Sequence, residues 1–512
     1  MKTNIKYTVY TLLLLIFSIS QPALSQTTAG TGSATPQEIQ KLRAAVEATP
    51  DSLKTHQAYI KAAGINSPEV AAQYEQWMKM FPKSAMVPFA IGNAFTNMES
   101  PKAKPYLLKA VAINPKFADA WGGLWEDAQR WGDFTGGDEY LEKAAKSDPA
   151  NAEYAFYYAD SFRDKDEKKY KEMTLDVARR FPDNERGAQA LYWLAERSRD
   201  IPYKIKIYEL LKSSFPPAKF DWSSGGMSGF YAILLDNDPG KAISLAQEMA
   251  AIKGDESKNW ETKIIFAQQI MQAKNLLDQK KGGQALSLLN QARMPKYLEY
   301  EYDGLPILKA AANDIAGNTG VAYDSLIVVF AKNPTVKLKA AIVGFGNKMG
   351  KDKAKVDADI WKRIDMAAEL ATPFTLKNYL APGSTSLSDY KGKAVLLTYW
   401  FPGCGPCRGE FPHFQNVVKK YKSQDLAFVG IDIVPDQDEY VIPFMRSSGY
   451  SFTPLADFKG RKKGNLDNHN AAPANYLIDN QGRIVFKDFR IDGNNEDDLE
   501  MMINMLLEHN AI

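Results

Sequence analysis

From Pro36 to about Leu370 the apolar positions recur at helical spacing, in short segments separated by turns that often carry Pro, Asp or Gly. Around Ala371 the pattern changes to strands alternating with helices. Residues 394–400 (AVLLTYW) form an unbroken apolar run of strand length, as a buried strand requires. Residues 426–434 (LAFVGIDIV) form a second. Residues 475–478 (NYLI) and 483–489 (RIVFKDF) flank the turn Asp479-Asn480-Gln481-Gly482 and read as a strand pair. Helices are predicted over 407–421, 439–447 and 497–508. This order predicts an α/β domain over residues 371–512, a central mixed sheet flanked by helices, preceded by an all-α region over residues 36–370. Within the all-α region, residues 222–229 (WSSGGMSG) read as a turn or an insertion.

The all-α region carries a period. Prolines that end similar helices fall at Pro50, Pro82, Pro115, Pro149, Pro182 and Pro216, at spacings of 32, 33, 34, 33 and 34. One unit shows the pattern in detail, with Ala120-Trp121, Leu124, Ala128, Gly132-Asp133, Phe134, Tyr140 and Ala144 between Asn114-Pro115 and Asp148-Pro149. It resembles the tetratricopeptide repeat: an aromatic and a leucine on the first helix, Gly at the turn, then an aromatic and Ala on the second. Small residues let the helices approach while Trp121 and Tyr140 fill the space between, and Gly132 suits a helix C-terminus. Later units, around Pro239, Gly283 and Pro334, keep the character and lose the spacing. The resemblance implies a solenoid with a concave face that holds a protein or peptide partner. A spacer or dimerisation arm is the alternative.

Residues 1–25 read as an export signal. Lys2 and Lys6 precede an apolar stretch from Tyr10 to Ile19, and Ala23-Leu24-Ser25 supplies a small-x-small cleavage site. Residues 26–35 are a small-residue linker. An uncleaved anchor is the rival, but the apolar run is shorter than the roughly 20 residues that span a bilayer. The expectation is an exported, periplasmic protein with no stable membrane insertion after cleavage. The near balance of 63 basic and 61 acidic residues argues against a nucleic-acid partner. Two cysteines in 512 residues cannot form a disulfide framework. They act as one pair or not at all.

Both cysteines lie in Phe401-Pro402-Gly403-Cys404-Gly405-Pro406-Cys407-Arg408. A C-x-x-C after a buried strand and at a helix start is the setting of a thioredoxin-like redox motif. There the helix dipole and unpaired N–H groups favour a thiolate on Cys404, drawing its pKa from about 8.5 toward roughly 7. Cys407 lies one turn further in, within disulfide reach, and Pro406 occupies the first turn, where a missing N–H costs little. A half zinc site is the competing reading, but no further cysteine exists and His413 and His469 lack zinc-like spacing. A purely structural disulfide would close too short a loop to stabilise much.

Residues 371–512 resemble the TlpA/ResA-type branch of the thioredoxin superfamily. The matching run begins at Ala371-Thr372-Pro373-Phe374-Thr375-Leu376, continues through Leu387-Ser388-Asp389-Tyr390-Lys391-Gly392-Lys393, and leads into the CGPC motif. The resemblance implies that Cys404 is the nucleophile and Cys407 the resolving thiol, with Glu410 as proton acceptor for Cys407. A residue three along shares that helix face independently of any resemblance. It also places Pro473 as a cis-proline opposite the cysteines. Ala472 and Pro473, with Gly405 and Pro406, are then the substrate contacts. Pro412 would be a kink proline.

The chain also departs from the family. Gly403 stands where a tryptophan usually precedes the first cysteine, and Thr398 where thioredoxins bury an aspartate. The Lys459-Gly460-Arg461-Lys462-Lys463 stretch reads as a solvated loop and His413 as exposed. The expected function is a thiol-disulfide oxidoreductase, reducing protein disulfides, supplied by a membrane thiol donor and needing no cofactor or metal. The alternatives are a peroxiredoxin-like thiol peroxidase and a protein-binding scaffold. The peroxidase reading needs a Pro-x-x-x-Thr/Ser-x-x-Cys setting that Pro402-Gly403-Cys404 lacks.

Overall fold

The computed structural model describes residues 34–252, 257–298 and 302–510. The export signal expected over residues 1–25, and all but the last two residues of the linker, lie outside the described residues. Among the described residues, nineteen α-helices precede the first strand, and no helix is long and apolar enough to cross a membrane.

The proline period is a turn period. The helices Pro36–Ala48, Pro68–Met80, Ala103–Ile113, Phe134–Ser147, Glu167–Arg180 and Ile201–Ser214 each end two residues before one of the six prolines. Proline cannot continue a helix, so it fixes where each unit stops. Equivalent positions of neighbouring units meet: Lys109 bonds Glu75, Tyr154 bonds Asp119 and Arg186 bonds Glu153, at separations of 34, 35 and 33 residues. Trp121 stacks on Tyr140 with ring centroids 5.8 Å apart, Ala128 and Ala144 are buried, and Gly132 takes φ 68° at a helix end.

Residues 222–229 are helix, not a turn or insertion. They lie inside the helix Asp221–Asn237. Packing explains the reversal: a Cβ on Gly226 would sit 3.0 Å from both Leu211 Cδ2 and Tyr192 Cδ2. Gly226 and Gly229 admit the neighbouring helices, Gly225 faces open space, and none of the three breaks the helix.

Eight strands follow: β1 Glu369–Leu370, β2 Thr375–Asn378, β3 Ser384–Ser386, β4 Ala394–Trp400, β5 Leu426–Asp432, β6 Thr453–Ala456, β7 Ala474–Ile478 and β8 Arg483–Lys487. Their order is β1-β8-β7-β4-β5-β6-β2-β3. β4, β5 and β6 run parallel, and β7 pairs antiparallel with β4, so the sheet is mixed. β4 is buried along its whole length and its side chains alternate between two cores. Ala394, Leu396 and Trp400 join one core with residues of the helices Gly405–Val418, Asp438–Ser448 and Glu496–Asn510. Val395, Leu397 and Tyr399 face the other. The first core does not stop at the sheet domain, because Tyr323, Leu326, Ile360, Trp361 and Ile364 of the helical region belong to it as well.

Candidate active site

The site is built at the C-terminal end of β4. The strand ends at Trp400, and the turn through Phe401-Pro402-Gly403 delivers Cys404 as the N-cap of the helix Gly405–Val418. The Cys404 and Cys407 sulfurs form a disulfide, with Cα atoms 5.3 Å apart. The Cys407 N–H points at Cys404 Sγ from 3.2 Å, so the first turn directs an unpaired backbone donor at that sulfur. Pro406 lies in that turn, Gly405 and Pro406 are both half-buried, and Pro412 stands inside the helix. Cys407 is fully buried and Cys404 is only 2% exposed.

Glu410 lies one turn beyond Cys407 on the same helix and is 5% exposed. Its carboxylate accepts hydrogen bonds from Asn475 Nδ2 at 3.0 Å and the Ile491 N–H at 3.4 Å, and Arg490 Nε lies 3.3 Å away. Burial dominates these favourable partners and pushes its pKa up to about 7. The carboxyl is therefore poised to take and return a proton near neutral pH.

The Ala472–Pro473 peptide bond is cis and immediately precedes β7. Pro473 is buried and Ala472 half-buried. The Pro473 carbonyl accepts from Arg490 Nη1 at 2.6 Å, while the Ala472 backbone N–H and C=O have no hydrogen-bond partner among the described residues.

Two residues of the site escape sequence reasoning. Asn475 pairs in register with Thr398 across β4 and β7 and donates from Nδ2 to Glu410 Oε2 and to the Phe489 carbonyl. Arg490 carries both the Pro473 carbonyl and the Glu410 carboxylate. The alternation Pro473, Asn475 along β7 is the one local signal for the first; Arg490 has none. Two expectations need correction. His413 is not exposed: its side chain is 13% exposed and Nδ1 lies 2.6 Å from Glu496 Oε1, at the start of the C-terminal helix. The basic stretch is only partly solvated, because the Arg461 side chain is 5% exposed and binds Asp457 at 2.6 Å and the Tyr399 hydroxyl at 2.9 Å. Lys459 and Lys462 remain in solvent.

Residues 367–487 match the AhpC/TSA family. Over 138 residues the chain is 31% identical to the thioredoxin-like protein YneN of Bacillus subtilis, covering 26% of this chain and 77% of that relative. The chain belongs to the thioredoxin-like proteins. The thiol-disulfide oxidoreductase ResA of Bacillus subtilis is 36% identical over 101 residues, 19% of this chain and 54% of the relative. The thioredoxin-like chain thus spans about half the length of the ResA relatives it matches. Among solved structures it is similar to the thioredoxin domain of a thiol-disulfide oxidoreductase from Bacteroides vulgatus, at 26% identity and TM-score 0.24, covering 27% of this chain and 96% of that one. A thiol:disulfide interchange protein from Bacteroides sp. is 27% identical at the same TM-score, covering 27% and 90%.

Proposed function

We propose that the protein is an exported thiol-disulfide oxidoreductase that reduces protein disulfides. The observation that carries this reading is the Cys404–Cys407 disulfide at a helix N-terminus, with a buried carboxyl of raised pKa one turn away. In the reduced protein the Cys404 thiolate attacks one client sulfur, forming a mixed disulfide and expelling the other client sulfur as a thiolate. Glu410 takes the proton of Cys407. The Cys407 thiolate then attacks Cys404 Sγ, the Cys404–Cys407 bond forms, and the second client sulfur leaves. Two electrons pass from the dithiol to the client, which ends as two thiols.

Ala472 lines the client site as a short strand addition, offering its unpaired backbone groups beside Pro473, with Gly405 and Pro406 on the facing edge. Export is supported by the 1–25 pattern alone, and a membrane thiol carrier would restore the dithiol. The Gly405-Pro406 dipeptide is that of thioredoxin, which works near −270 mV, about 150 mV more reducing than DsbA.

The test is Cys407→Ala in the full chain, which removes the resolving thiol. Mixed disulfides to Cys404 should accumulate, be released by dithiothreitol, and vanish in Cys404→Ala/Cys407→Ala. No adduct with any disulfide-bearing protein would refute the exchange reading. A midpoint near about −120 mV would keep the exchange and reverse its direction.

A further inference from the structure

The helical region reaches the dithiol itself. Just past the helix Met86–Asn97, Glu99 sits at φ 53° and its carboxylate accepts a hydrogen bond from Gln437 Nε2. Gln437 Oε1 in turn accepts the Gly403 N–H at 2.6 Å. One chain of hydrogen bonds therefore runs from the helical region to the residue that precedes Cys404. A Cβ at position 403 would lie 2.9 Å from both polar atoms of Gln437 and 3.0 Å from Glu99 Oε2. The room beside Cys404 that a side chain at 403 would fill is already taken. The glycine that departs from the family pattern is what this contact requires.

The same side of the helical region continues the cover. Arg130 Nη2 lies 3.8 Å from Glu99 Oε1, Trp131 meets Tyr440 edge-on at 5.0 Å, and Gly132 admits the Phe444 backbone, which a Cβ there would approach to 2.7 Å. On the other flank Arg199 donates to the Gly493 carbonyl and Asn494 Nδ2 to the Glu196 carbonyl at 2.9 Å. That loop follows directly on Arg490 and Ile491, which hold Glu410. A sulfur at a loop–helix junction is thus left with almost no exposure.

The two ends of the contact between helical region and sheet domain differ in kind. Around Tyr323–Ile364 the helices share one apolar core with the C-terminal helix, Trp361 stacks on His509 at 3.9 Å and Asp365 pairs with Arg483 at 3.0 Å. Near the dithiol the link is mixed: Trp131 and Phe134 meet Tyr440 and Phe444 edge-on, but the contact over Gly403 itself is polar, and Arg130 buries Nη1 without a hydrogen-bond partner among the described residues, which is unfavourable. The first end is an apolar anchor, and the second rests over Gly403 on the polar contacts of Glu99 and Gln437.

We propose that Glu99 and Gln437 are specificity-determining residues that select disulfides by size: closed over Gly403, they hold the helical region against Cys404, so that a disulfide set in a protein surface reaches the sulfur only when this contact parts, while a small disulfide is hindered less. This rests on the reading that Cys404 exchanges with disulfides. The chemistry is the two-electron exchange already written; only the bulk of the incoming disulfide changes.

The experiment compares the full chain with Gln437→Ala and Glu99→Ala, turning over with dithiothreitol, on insulin as a protein disulfide and oxidised glutathione as a small one. The expected result is an insulin-to-glutathione rate ratio at least fivefold higher in both variants. A ratio within twofold of the unaltered protein, or a lower one, overturns the proposal. Glu99 lies on a surface turn, so Glu99→Ala decides the matter should Gln437→Ala misfold. An unaltered protein that reduces neither probe would refute the exchange reading instead, which keeps the two failures apart.

Discussion

Glu410, the proton acceptor proposed for Cys407, shows how its surroundings set the chemistry of one side chain. Its partners, Asn475, Ile491 and Arg490, all favour the charged form, yet burial outweighs them and its pKa reaches about 7. Below that pH the carboxyl is protonated and cannot accept the Cys407 proton; above it the carboxylate can. Exchange should therefore rise with pH through about 7. Glu410→Gln keeps the shape and removes the titration, so the inflection should disappear. The rate at pH 8 should fall by roughly 10²-fold, the lower part of the range for a positioned proton acceptor. Asn475→Ala removes a hydrogen bond that favours the carboxylate and should move the inflection upward rather than abolish it. Steady-state rates from pH 5 to 9 distinguish the two. An unaltered inflection in Glu410→Gln would show that another group governs the step.

The helix Asp221–Asn237 sets local propensity against packing. Glycine is about 1 kcal/mol poorer than alanine inside a helix, so a larger residue at Gly226 should help on propensity alone. The facing Leu211 and Tyr192 atoms at 3.0 Å oppose it, and overpacking typically costs about 1–3 kcal/mol. Packing wins, and Gly226→Val should destabilise the chain by roughly that amount in urea unfolding, while Gly225→Ala, with open space around it, should not. The same contest marks what could be read in advance. The bounds of β4 and the turns after each proline were legible because their cause is local: an unbroken apolar run, and a residue that cannot continue a helix. β1, β2 and β3 span two to four residues, too short for alternation to register; β1 and β2 are held by distant partners such as Ile484 and Ala456, and β3 by β2 alone. In the site, Cys404, Cys407 and Glu410 follow one another at helical spacing and could be seen together. Arg490 could not, because only folding brings it back over that helix.

Taken whole, the molecule is a helical region closed around its own redox domain, with buried charge at the junction. Asp127, on the helix Ala118–Arg130, is 1% exposed and accepts a hydrogen bond from Tyr440 of the sheet domain at 3.4 Å. Burial pushes its pKa up to about 6, against the pull of Arg130 and Lys104. A carboxyl whose folded pKa is raised binds its proton more tightly in the folded chain than in the unfolded one. Its contribution to stability is fully present below the unfolded value, about 3.9, and is lost as pH rises through about 6. Asp127→Asn keeps a neutral group of the same shape that can still accept from Tyr440, and does not titrate. Near pH 4 the two proteins should unfold at similar urea concentrations. By pH 8 the variant should be the more stable, by up to about 3 kcal/mol, since a tenfold difference in proton affinity between the folded and unfolded chain is worth about 1.4 kcal/mol. A difference that stays constant between pH 4 and 8 would mean that the charge at this junction is solvated, and that the helical region does not seal against the sheet domain there.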